Sequence, residues 1–324
     1  MEITLQQAAR QLLEQDHITI LCHRKPDGDT TGSALALYEA LSGLGKKVRI
    51  RCGDPFPEQF SFLTQAYEEP GEFQEQFIVA VDVASAPLLG SLEAEYGSRV
   101  DLCIDHHGSN SRYARQLLLD GGAAAAAELV YRLIGQLEVP LTAHMALCIY
   151  TGIATDTGCF CFSNTTPASF RIAAEVLETG APVADANRRL FESKKPGRVA
   201  LEARVLSGLE YYYSGHCAVI VIPSALREEF GVDDSELDGL SSIPRKIEGV
   251  WVGVTIREQK GCCRVSLRTT AEADACAICA AFGGGGHVRA SGCTIEGTPQ
   301  RAKELLLREI GCQVFSGMSP EAGE

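Results

Sequence analysis

Acidic residues and histidines directly follow several predicted strands and helices, and their types suit metal binding. A mixed set of imidazole and carboxylate ligands favours Mn²⁺ or a similar divalent ion. Crowded carboxylates repel one another, so a bound cation would explain why they gather. Two such ions about 3.5–4 Å apart would form a phosphoester hydrolysis centre. The candidate residues are His23, Asp27, Asp29, Asp82, Asp105, His106, His107 and Asp156.

Each of these elements has a simpler explanation when it is taken alone. The first acidic segment, at residues 27–29, could form only a turn, because Asp and Gly favour turns. Asp82 or Asp156 could cap a helix N-terminus, and the adjacent histidines could pack in a loop. Four such coincidences at the ends of strands or helices are less expected than one shared site.

Alternating strands and helices in the N-terminal half must position these residues. Their order predicts a doubly wound, mostly parallel α/β sheet. Ligands of such sheets bind at the carboxyl ends of the strands, which is where the polar residues fall. The predicted strands are 17–22, 48–51, 77–81 and 100–104, and the predicted helices are 30–44, 123–137, 142–154, 167–179 and 183–191.

The C-terminal half predicts a smaller α/β unit with a glycine-rich segment. A linking helix is expected at 196–213, strands at 216–222, 249–257, 263–268 and 292–295, and a helix at 271–282. A glycine run is most simply a flexible loop, but its backbone N–H groups can also approach a phosphate or base closely. Arginine suits the same ligands. The candidate substrate-binding residues are Arg268, Gly283, Gly284, Gly285, Gly286 and His287.

Length and composition predict a two-domain soluble protein. A chain of 324 residues is too long for one ordinary core. The apolar runs are much shorter than the ~20 residues of a membrane span, and the N-terminus lacks the basic start of a secretory signal. We therefore expect a cytoplasmic protein with no membrane partner, whose 13 cysteines are reduced.

The net charge of −13 limits the kinds of partner that the protein can bind. It argues against long duplex nucleic acid, whose binding relies on many Lys and Arg contacts to phosphate. A small anionic substrate stays compatible, because bound metal ions supply local positive charge. We expect short oligonucleotides or nucleotides as partners, with a homodimer as a further alternative.

The order of the motifs resembles that of the DHH/DHHA1 phosphoesterase superfamily. HxxxDxD at 23–29, a lone Asp82, Asp-His-His at 105–107 and Thr-Asp-Thr-Gly at 155–158 precede Gly-Gly-Gly-Gly-His at 283–287. The closest resemblance is to the nanoRNase subgroup, bifunctional oligoribonucleases and 3′-phosphoadenosine-5′-phosphate (pAp) phosphatases. It implies a DHH catalytic domain at 1–190, a linker helix at 191–214, a DHHA1 substrate-binding domain at 215–312 and a flexible tail at 313–324.

The resemblance also implies a role for each candidate residue. Two divalent ions are expected, with Mn²⁺ favoured and Mg²⁺ or Co²⁺ as alternatives. Asp82 would bridge them, His107 would contact the scissile phosphate, and Asp105 would orient a histidine. The ligands of one ion would be His23, Asp27 and Asp82, and those of the other Asp29, Asp82, His106 and Asp156.

The expected activity is hydrolysis of oligoribonucleotides of about two to five nucleotides to mononucleotides, removal of the 3′-phosphate of pAp, or both. A phosphodiesterase for cyclic di-AMP or a linear dinucleotide is an alternative. A RecJ-like exonuclease for longer single strands is another, which the charge of −13 disfavours. A non-catalytic nucleotide-binding module is the alternative outside enzymes, and the intact ligand set argues against it.

Overall fold

The computed structural model describes residues 1–316 and 318, apart from residues 72 and 238. The chain divides into two compact units, Met1–Ser193 and Lys194–Glu324. The finer predicted domain boundaries, at residues 190, 214 and 312, stay a prediction. Most of the predicted tail at 313–324 lies outside the described residues.

A parallel sheet of five strands forms the centre of the first unit. The strands are β1 (Ile18–Cys22), β2 (Val48–Cys52), β3 (Phe77–Val81), β4 (Leu102–Asp105) and β5 (Gln116–Leu119). They lie in the order β2-β1-β3-β4-β5, and every neighbouring pair is parallel. β1, β3 and β4 are buried almost throughout, which explains their continuous apolar sequences.

Both faces of this sheet are covered. The helices of the unit are α1 (Leu5–Glu14), α2 (Gly28–Gly43), α3 (Ser61–Thr64), α4 (Glu93–Tyr96), α5 (Ala126–Gln136), α6 (Ala143–Asp156), α7 (Pro167–Glu178) and α8 (Val183–Asn187). Val79 and Ile104 pack into the larger core with α2, α5 and α6, while Ile78 and Cys103 face a smaller core under the segment Ala86–Leu92. The predicted doubly wound, mostly parallel layer is confirmed.

Small residues bring α2 unusually close to its neighbours α5 and α6. A Cβ at Gly32 would lie 2.2 Å from the carbonyl oxygen of Cys148 on α6. A Cβ at Gly152 would lie 2.6 Å from the Cβ of Ala127 on α5. Such distances leave no room for a side chain at either glycine. The N-terminal end of α2 therefore lies directly beside α5 and the C-terminal end of α6.

The second unit is a smaller α/β unit around a mixed sheet of six strands. Its strands are β6 (Glu210–Tyr212), β7 (Cys217–Ile222), β8 (Val252–Gln259), β9 (Cys262–Thr269), β10 (Gly285–His287) and β11 (Ala290–Glu296), and its helices are α9 (Pro196–Leu206), α10 (Ser224–Phe230), α11 (Ala275–Ala280) and α12 (Pro299–Gln313). The order is β10-β11-β9-β8-β7-β6, and only β7 and β8 pair in parallel. No helix in the described part of the chain is long and apolar enough to span a membrane.

Three element predictions were wrong in part. The linking helix predicted at 196–213 ends at Leu206, and β6 follows it because Glu210–Tyr212 pairs with β7. The glycine segment is not a flexible loop, since Gly285–His287 pairs with β11 as β10. The helix predicted at 271–282 is only α11, because the Asp274 side chain accepts from the backbone N–H groups of the next turn and caps the helix there.

Candidate metal centre

Three adjacent strands of the first unit end in residues that can bind a metal ion. β1, β3 and β4 lie side by side and run parallel. His23 directly follows β1, Asp82 directly follows β3, and Asp105 is the last residue of β4. Because the carboxyl ends of parallel strands meet at one edge, where α/β sheets bind ligands, three separate chain segments supply side chains to the same place.

Asp82 lies in the middle of this group, and each of its carboxylate oxygens faces a different histidine. Oδ2 lies 3.6 Å from His23 Nε2, whereas Oδ1 lies 3.6 Å from His106 Nε2 and 3.5 Å from His107 Nδ1. The residue is buried and has a left-handed backbone with φ of 60°, which Asp tolerates better than most residues. A carboxylate placed in this way can bridge two cations.

The candidate metal centre contains three overlapping groups of ligand atoms, and the atoms of each group lie within 4.8 Å of one another. The structure thereby brings all six predicted ligands together, and it adds His107. Asp82 and His106 each belong to two groups. The groups are His23, Asp27 and Asp82; Asp29, His106 and Asp156; and Asp82, His106 and His107.

Backbone carbonyl groups hold two of the histidines in a tautomer that suits metal binding. His23 Nδ1 lies 2.8 Å from the carbonyl oxygen of Arg24, and His106 Nδ1 lies 3.2 Å from that of Ala123. A carbonyl oxygen can only accept, so Nδ1 carries a proton, and Nε2 is the ring nitrogen that faces the carboxylates. Metal-binding histidines are typically oriented in this way.

Asp29 is fully buried, and it accepts hydrogen bonds both from its own helix and from a distant part of the chain. The N–H groups of Ala126 and Ala127, at the start of α5, donate to its two oxygens over 2.6 and 2.9 Å. Ser33 Oγ donates to Oδ1 over 3.1 Å. The small side chains of the alanine run allow the helix N-terminus, with its partial positive charge, to approach the carboxylate.

The remaining two carboxylates lie at helix ends. Asp27 caps α2, because its Oδ1 accepts from Asp29 N over 3.0 Å and from Thr30 N over 3.1 Å. Asp156 is the last residue of α6, so the explanation of Asp156 as an N-cap is wrong. Burial and the Asp29 carboxylate raise its pKa well above the ordinary value. A carboxylate at a helix C-terminus is also disfavoured by the helix dipole, which a nearby cation would offset.

His107 carries a proton that a buried carboxylate stabilises. Its Nδ1 donates to Asp105 Oδ1 over 2.8 Å, and this hydrogen bond raises the pKa of His107 to about 9. Burial raises the pKa of Asp105, but the hydrogen bonds from His107 and Asn110 outweigh it and hold that pKa below its ordinary value. Asn110 Nδ2 donates to Asp105 Oδ2 over 2.6 Å. Asn110 was not predicted from the sequence, where its only signal is its position shortly after the Asp-His-His motif.

Two buried atoms show that these residues fit a divalent cation. Asp82 Oδ1 and His106 Nε2 have no hydrogen-bond partner among the described residues, although buried polar atoms normally have one. Burial and the Asp29 carboxylate also raise the pKa of Asp82 well above its ordinary value. A cation between Asp82 and His106 would satisfy both atoms and neutralise the crowded carboxylates.

Two basic residues lie next to the candidate metal centre. Arg24 and Lys25 directly follow the candidate ligand His23, and both side chains are exposed. The aliphatic part of Arg24 lies over Gly90, where a Cβ would be 2.9 Å from the Arg24 Cβ. Neither side chain forms an ion pair within the part of the chain that the structure describes. They therefore supply positive charge at this edge of an otherwise acidic protein.

In the second unit, the structure places Arg268 and His287 on one face of the sheet. Arg268 of β9 pairs with Ala290 of β11, and Ala290 pairs with His287 of β10. Residues directly opposite one another on neighbouring strands project to the same face. The two predicted substrate-binding side chains therefore flank Ala290, with one strand between them.

The four predicted substrate-binding glycines differ in how strongly the fold requires them. Gly283 has a φ of 69°, in the left-handed region. A Cβ at Gly284 would lie 2.3 Å from the Gly292 carbonyl oxygen, and one at Gly286 would lie 2.7 Å from that of Ala290. Nothing lies within 4 Å of a Cβ built at Gly285. Gly285 is thus the one member of the run whose lack of a side chain the fold does not explain.

Comparison with known families defines the class of protein. Residues 17–153 match the DHH family, N-terminal domain, and residues 215–311 match the DHHA1 domain. The chain is 36% identical over 296 residues to the bifunctional oligoribonuclease and PAP phosphatase NrnA of Thermus thermophilus, covering 90% of this chain and 89% of that protein. The chain therefore belongs to the DHH/DHHA1 phosphoesterase family, which confirms the resemblance, and it is a hydrolase.

Solved structures show the same fold. An exopolyphosphatase-related protein from Bacteroides fragilis superimposes with a TM-score of 0.87 at 24% identity, covering 95% of this chain and 96% of that one. RecJ from Thermus thermophilus, solved in complex with Mn²⁺, superimposes with a TM-score of 0.59 at 15% identity, covering 98% of this chain and 55% of that one. At these identities the likeness concerns the fold alone.

Proposed function

We propose that this protein hydrolyses oligoribonucleotides of about two to five nucleotides to mononucleotides and removes the 3′-phosphate of pAp. The observation that carries the proposal is Asp82, whose two oxygens face His23 and His106 where three strands end. A carboxylate between two imidazole–carboxylate groups suits a pair of divalent ions. The Thermus relative is named for both activities, which supports this choice of substrates.

The ligand assignment follows the overlapping groups of the candidate metal centre. We assign Asp82 as the ligand shared by two ions, with Mn²⁺ as the preferred metal because of the mixed nitrogen and oxygen donors. The predicted set for the second ion includes Asp82, and its Oδ1 faces His106 in agreement with this. The other ligands are His23 and Asp27 for one ion, and Asp29, His106 and Asp156 for the second.

The bound ions would lower the pKa of an attacking water and neutralise charge on the phosphoryl oxygens. The protein's own residues then have three tasks. The Nδ1 hydrogen bonds of His23 and His106 fix ring orientation, and the α5 N-terminus holds Asp29 in place. His107, protonated through its hydrogen bond to Asp105, would place a positive charge against the scissile phosphate. In the second unit, Arg268, His287 and the glycine segment are the residues that we propose for substrate binding.

The test is a comparison of substrates with metal-loaded protein. The protein is incubated with pAp, a ribonucleotide trimer, cyclic di-AMP, pApA and a long single strand, and the products are resolved. We expect turnover of pAp and the trimer, fastest with Mn²⁺ and slower with Mg²⁺ or Co²⁺, and its loss after exhaustive chelation. Faster cleavage of cyclic di-AMP or pApA would replace this function with the dinucleotide phosphodiesterase alternative. Binding without any turnover would indicate a nucleotide-binding module.

A further inference from the structure

The segment that follows the candidate ligand Asp156 has an unusual backbone. Gly158, Cys159 and Phe160 have φ values of 55°, 56° and 63°. Three consecutive residues therefore lie in the left-handed region, which is unfavourable for Cys and Phe. Such a conformation persists only where the surrounding structure holds it, and it is concentrated at functional sites. We call residues 157–162 the aromatic loop.

A network of hydrogen bonds holds the aromatic loop in this conformation. The N–H groups of Cys161 and Phe162 both donate to the carbonyl oxygen of Thr157 over 2.9 Å, and Phe160 N donates to Thr157 Oγ1 over 3.0 Å. Asn164 Nδ2 then donates to the carbonyl oxygens of Asp156 and Ala124 over 3.1 and 3.2 Å. The loop is thereby tied both to the end of α6 and to the segment that precedes α5.

The two phenylalanines of the aromatic loop have different environments. Phe160 is half-buried, and its ring lies 5.9 Å from that of Tyr150 and 5.1 Å from that of Phe170. Phe162 is 44% exposed. The tip of its ring occupies the space above Gly158, where a Cβ would lie 2.3 Å from Phe162 Cζ. Phe160 therefore anchors the loop, whereas the Phe162 ring is held against backbone and still presented to solvent.

The position of Phe162 relates it to the candidate metal centre. Gly158 is two residues from Asp156, so their Cα atoms are at most about 7.6 Å apart, twice the trans Cα–Cα spacing. The Phe162 ring, which contacts Gly158, is thus within the reach of a nucleotide whose phosphate lies against Asp156. A single exposed Phe needs no special explanation, but an exposed ring fixed by a strained loop beside a metal ligand does.

We propose that Phe162 is the platform on which the base of the hydrolysed nucleotide stacks, an inference that rests on the proposed nucleotide substrate. Stacking suits this activity because every base has a flat face, so an aromatic ring binds all bases without selecting a sequence. The fixed loop also limits the conformational freedom that the ring loses on binding. Phe162 is therefore a substrate-positioning residue, and the loop geometry exists to present it.

The test compares a ligand that carries a base with one that has the same sugar and phosphate but no base. AMP and ribose 5-phosphate are titrated into the Mn²⁺-loaded full-length protein, and the dissociation constants are measured by calorimetry. We expect AMP to bind about 10-fold more tightly, in keeping with one stacked base. Phe162→Ala should abolish this difference by weakening AMP alone, and Phe162→Trp should keep it. Phe170→Ala is the control. It removes an exposed phenyl ring from the neighbouring aromatic cluster of Tyr150, Phe160 and Phe170.

Each outcome decides the proposal. An unchanged difference in Phe162→Ala overturns it, and so does an equal weakening of both ligands, which would indicate a structural role. An equal effect of Phe170→Ala would attribute the change to cluster packing and also overturn it. Because the experiment measures binding and not turnover, it tests base stacking on Phe162 separately from the proposed hydrolysis. If no substrate is hydrolysed but the difference depends on Phe162, the stacking platform stands and the catalytic function falls.

Discussion

Asp82 occupies a position that is unfavourable for both its backbone and its charge. Its φ of 60° lies in the left-handed region, and burial together with the Asp29 carboxylate raises its pKa well above the ordinary value. Strain of this kind is retained at functional sites because the surroundings impose it. The placement is understandable if the carboxylate has to lie between two histidines and hold two cations.

Asp82→Asn should remove metal binding while keeping the fold. The change removes one ligand from both ions, so the fall in kcat should exceed the ~100-fold that loss of an outer partner of a metal ligand can cause. Mn²⁺ should raise the Tm of the wild-type protein, because the folded state alone binds it, but not that of the variant. Asp185→Asn, an exposed carboxylate on α8, is the control. A normal Mn²⁺-induced rise in Asp82→Asn would exclude the bridging role.

The glycine segment allows substrate contact to be separated from folding. Gly284→Ala should destabilise the second unit, since its Cβ would lie 2.3 Å from the Gly292 carbonyl oxygen. Gly285→Ala should leave the Tm unchanged, because the space around it is open. If a substrate approaches the Gly285 backbone, Gly285→Ala should raise KM by about 2- to 12-fold at unchanged kcat. This is the effect expected for one lost hydrogen bond of about 0.5–1.5 kcal/mol. An unchanged KM would remove Gly285 from the site.

The sequence identifies the candidate metal ligands better than it identifies the groups that hold those ligands in place. Strand ends and motif order identified the residues that the structure gathers around Asp82. The groups that hold them could not be found in this way. The backbone donors to Asp29 are 97 and 98 residues away from it, and a backbone N–H carries no residue-type signal. The left-handed loop at Phe160 is equally invisible, because neither Cys nor Phe favours that conformation.

Among the secondary-structure elements, α2 and α6 show how packing sets the position of the candidate metal ligands. Gly32→Ala should destabilise the protein by about 1–3 kcal/mol, because the added methyl group meets the Cys148 carbonyl oxygen and overpacks the interface. Gly43→Ala on the same helix should stabilise it by up to about 1 kcal/mol, because no atom lies within 4 Å of the added Cβ. Urea unfolding measures both. Equal stability of the two variants would show that the contact relaxes at no cost.

A second contact between these helices should make stability depend on pH. His144 on α6 donates from Nδ1 to Glu39 on α2 over 2.6 Å and from Nε2 to the Leu63 carbonyl oxygen over 2.9 Å, which requires the imidazolium. Contacts with the Cys148 sulfur and the Glu39 carboxylate raise the pKa of His144 to about 11. The hydrogen bond from His144 lowers the pKa of Glu39.

The sign of each shift gives the pH window. Because the pKa of His144 is raised, its contribution to the free energy of unfolding is complete below the unfolded pKa of 6.5. This contribution is lost as the pH rises towards about 11. Because the pKa of Glu39 is lowered, its contribution to the free energy of unfolding is complete above the unfolded pKa of 4.5. This contribution is lost in more acidic solution. His144→Gln should therefore reduce the free energy of unfolding by about 1.5–3 kcal/mol between the two unfolded pKa values, 4.5 and 6.5. The reduction should be smaller in alkaline solution. A difference that does not change with pH would show that His144 is neutral.

The elements that were predicted well are those with a strong local pattern. β1, β3 and β4 are continuous apolar runs, because both faces of their sheet are covered. β5 was not predicted, since Gln116–Leu119 is a short edge strand whose identity depends on pairing with β4. β6 and β10 were missed for the same reason. Glu210–Tyr212 looks helical until β7 lies beside it, and a glycine run gains order only from β11.

The protein as a whole is acidic, but it has a small region of positive charge near the candidate metal centre. The net charge is −13, while Arg24 and Lys25 lie at the edge of the sheet that carries the candidate ligands. Bound divalent ions would add to this local positive charge. A short substrate places its few phosphates within this region. A long strand has to carry many further phosphates along an acidic protein, without the Lys and Arg contacts that such binding requires.

This balance predicts both a length preference and its dependence on salt. kcat/KM should be highest for pAp and for oligoribonucleotides of about two to five nucleotides, and it should fall for longer strands, because each added phosphate meets repulsion and gains no contact. Screening weakens repulsion beyond the Debye length of about 10 Å at 0.1 M salt, so raising salt from about 50 to about 300 mM should narrow the gap between a trimer and a long strand. Equal degradation of the two at both salt concentrations would favour the RecJ-like exonuclease instead. A gap that salt leaves unchanged would attribute the preference to the shape of the site, because only a repulsion between charges responds to screening.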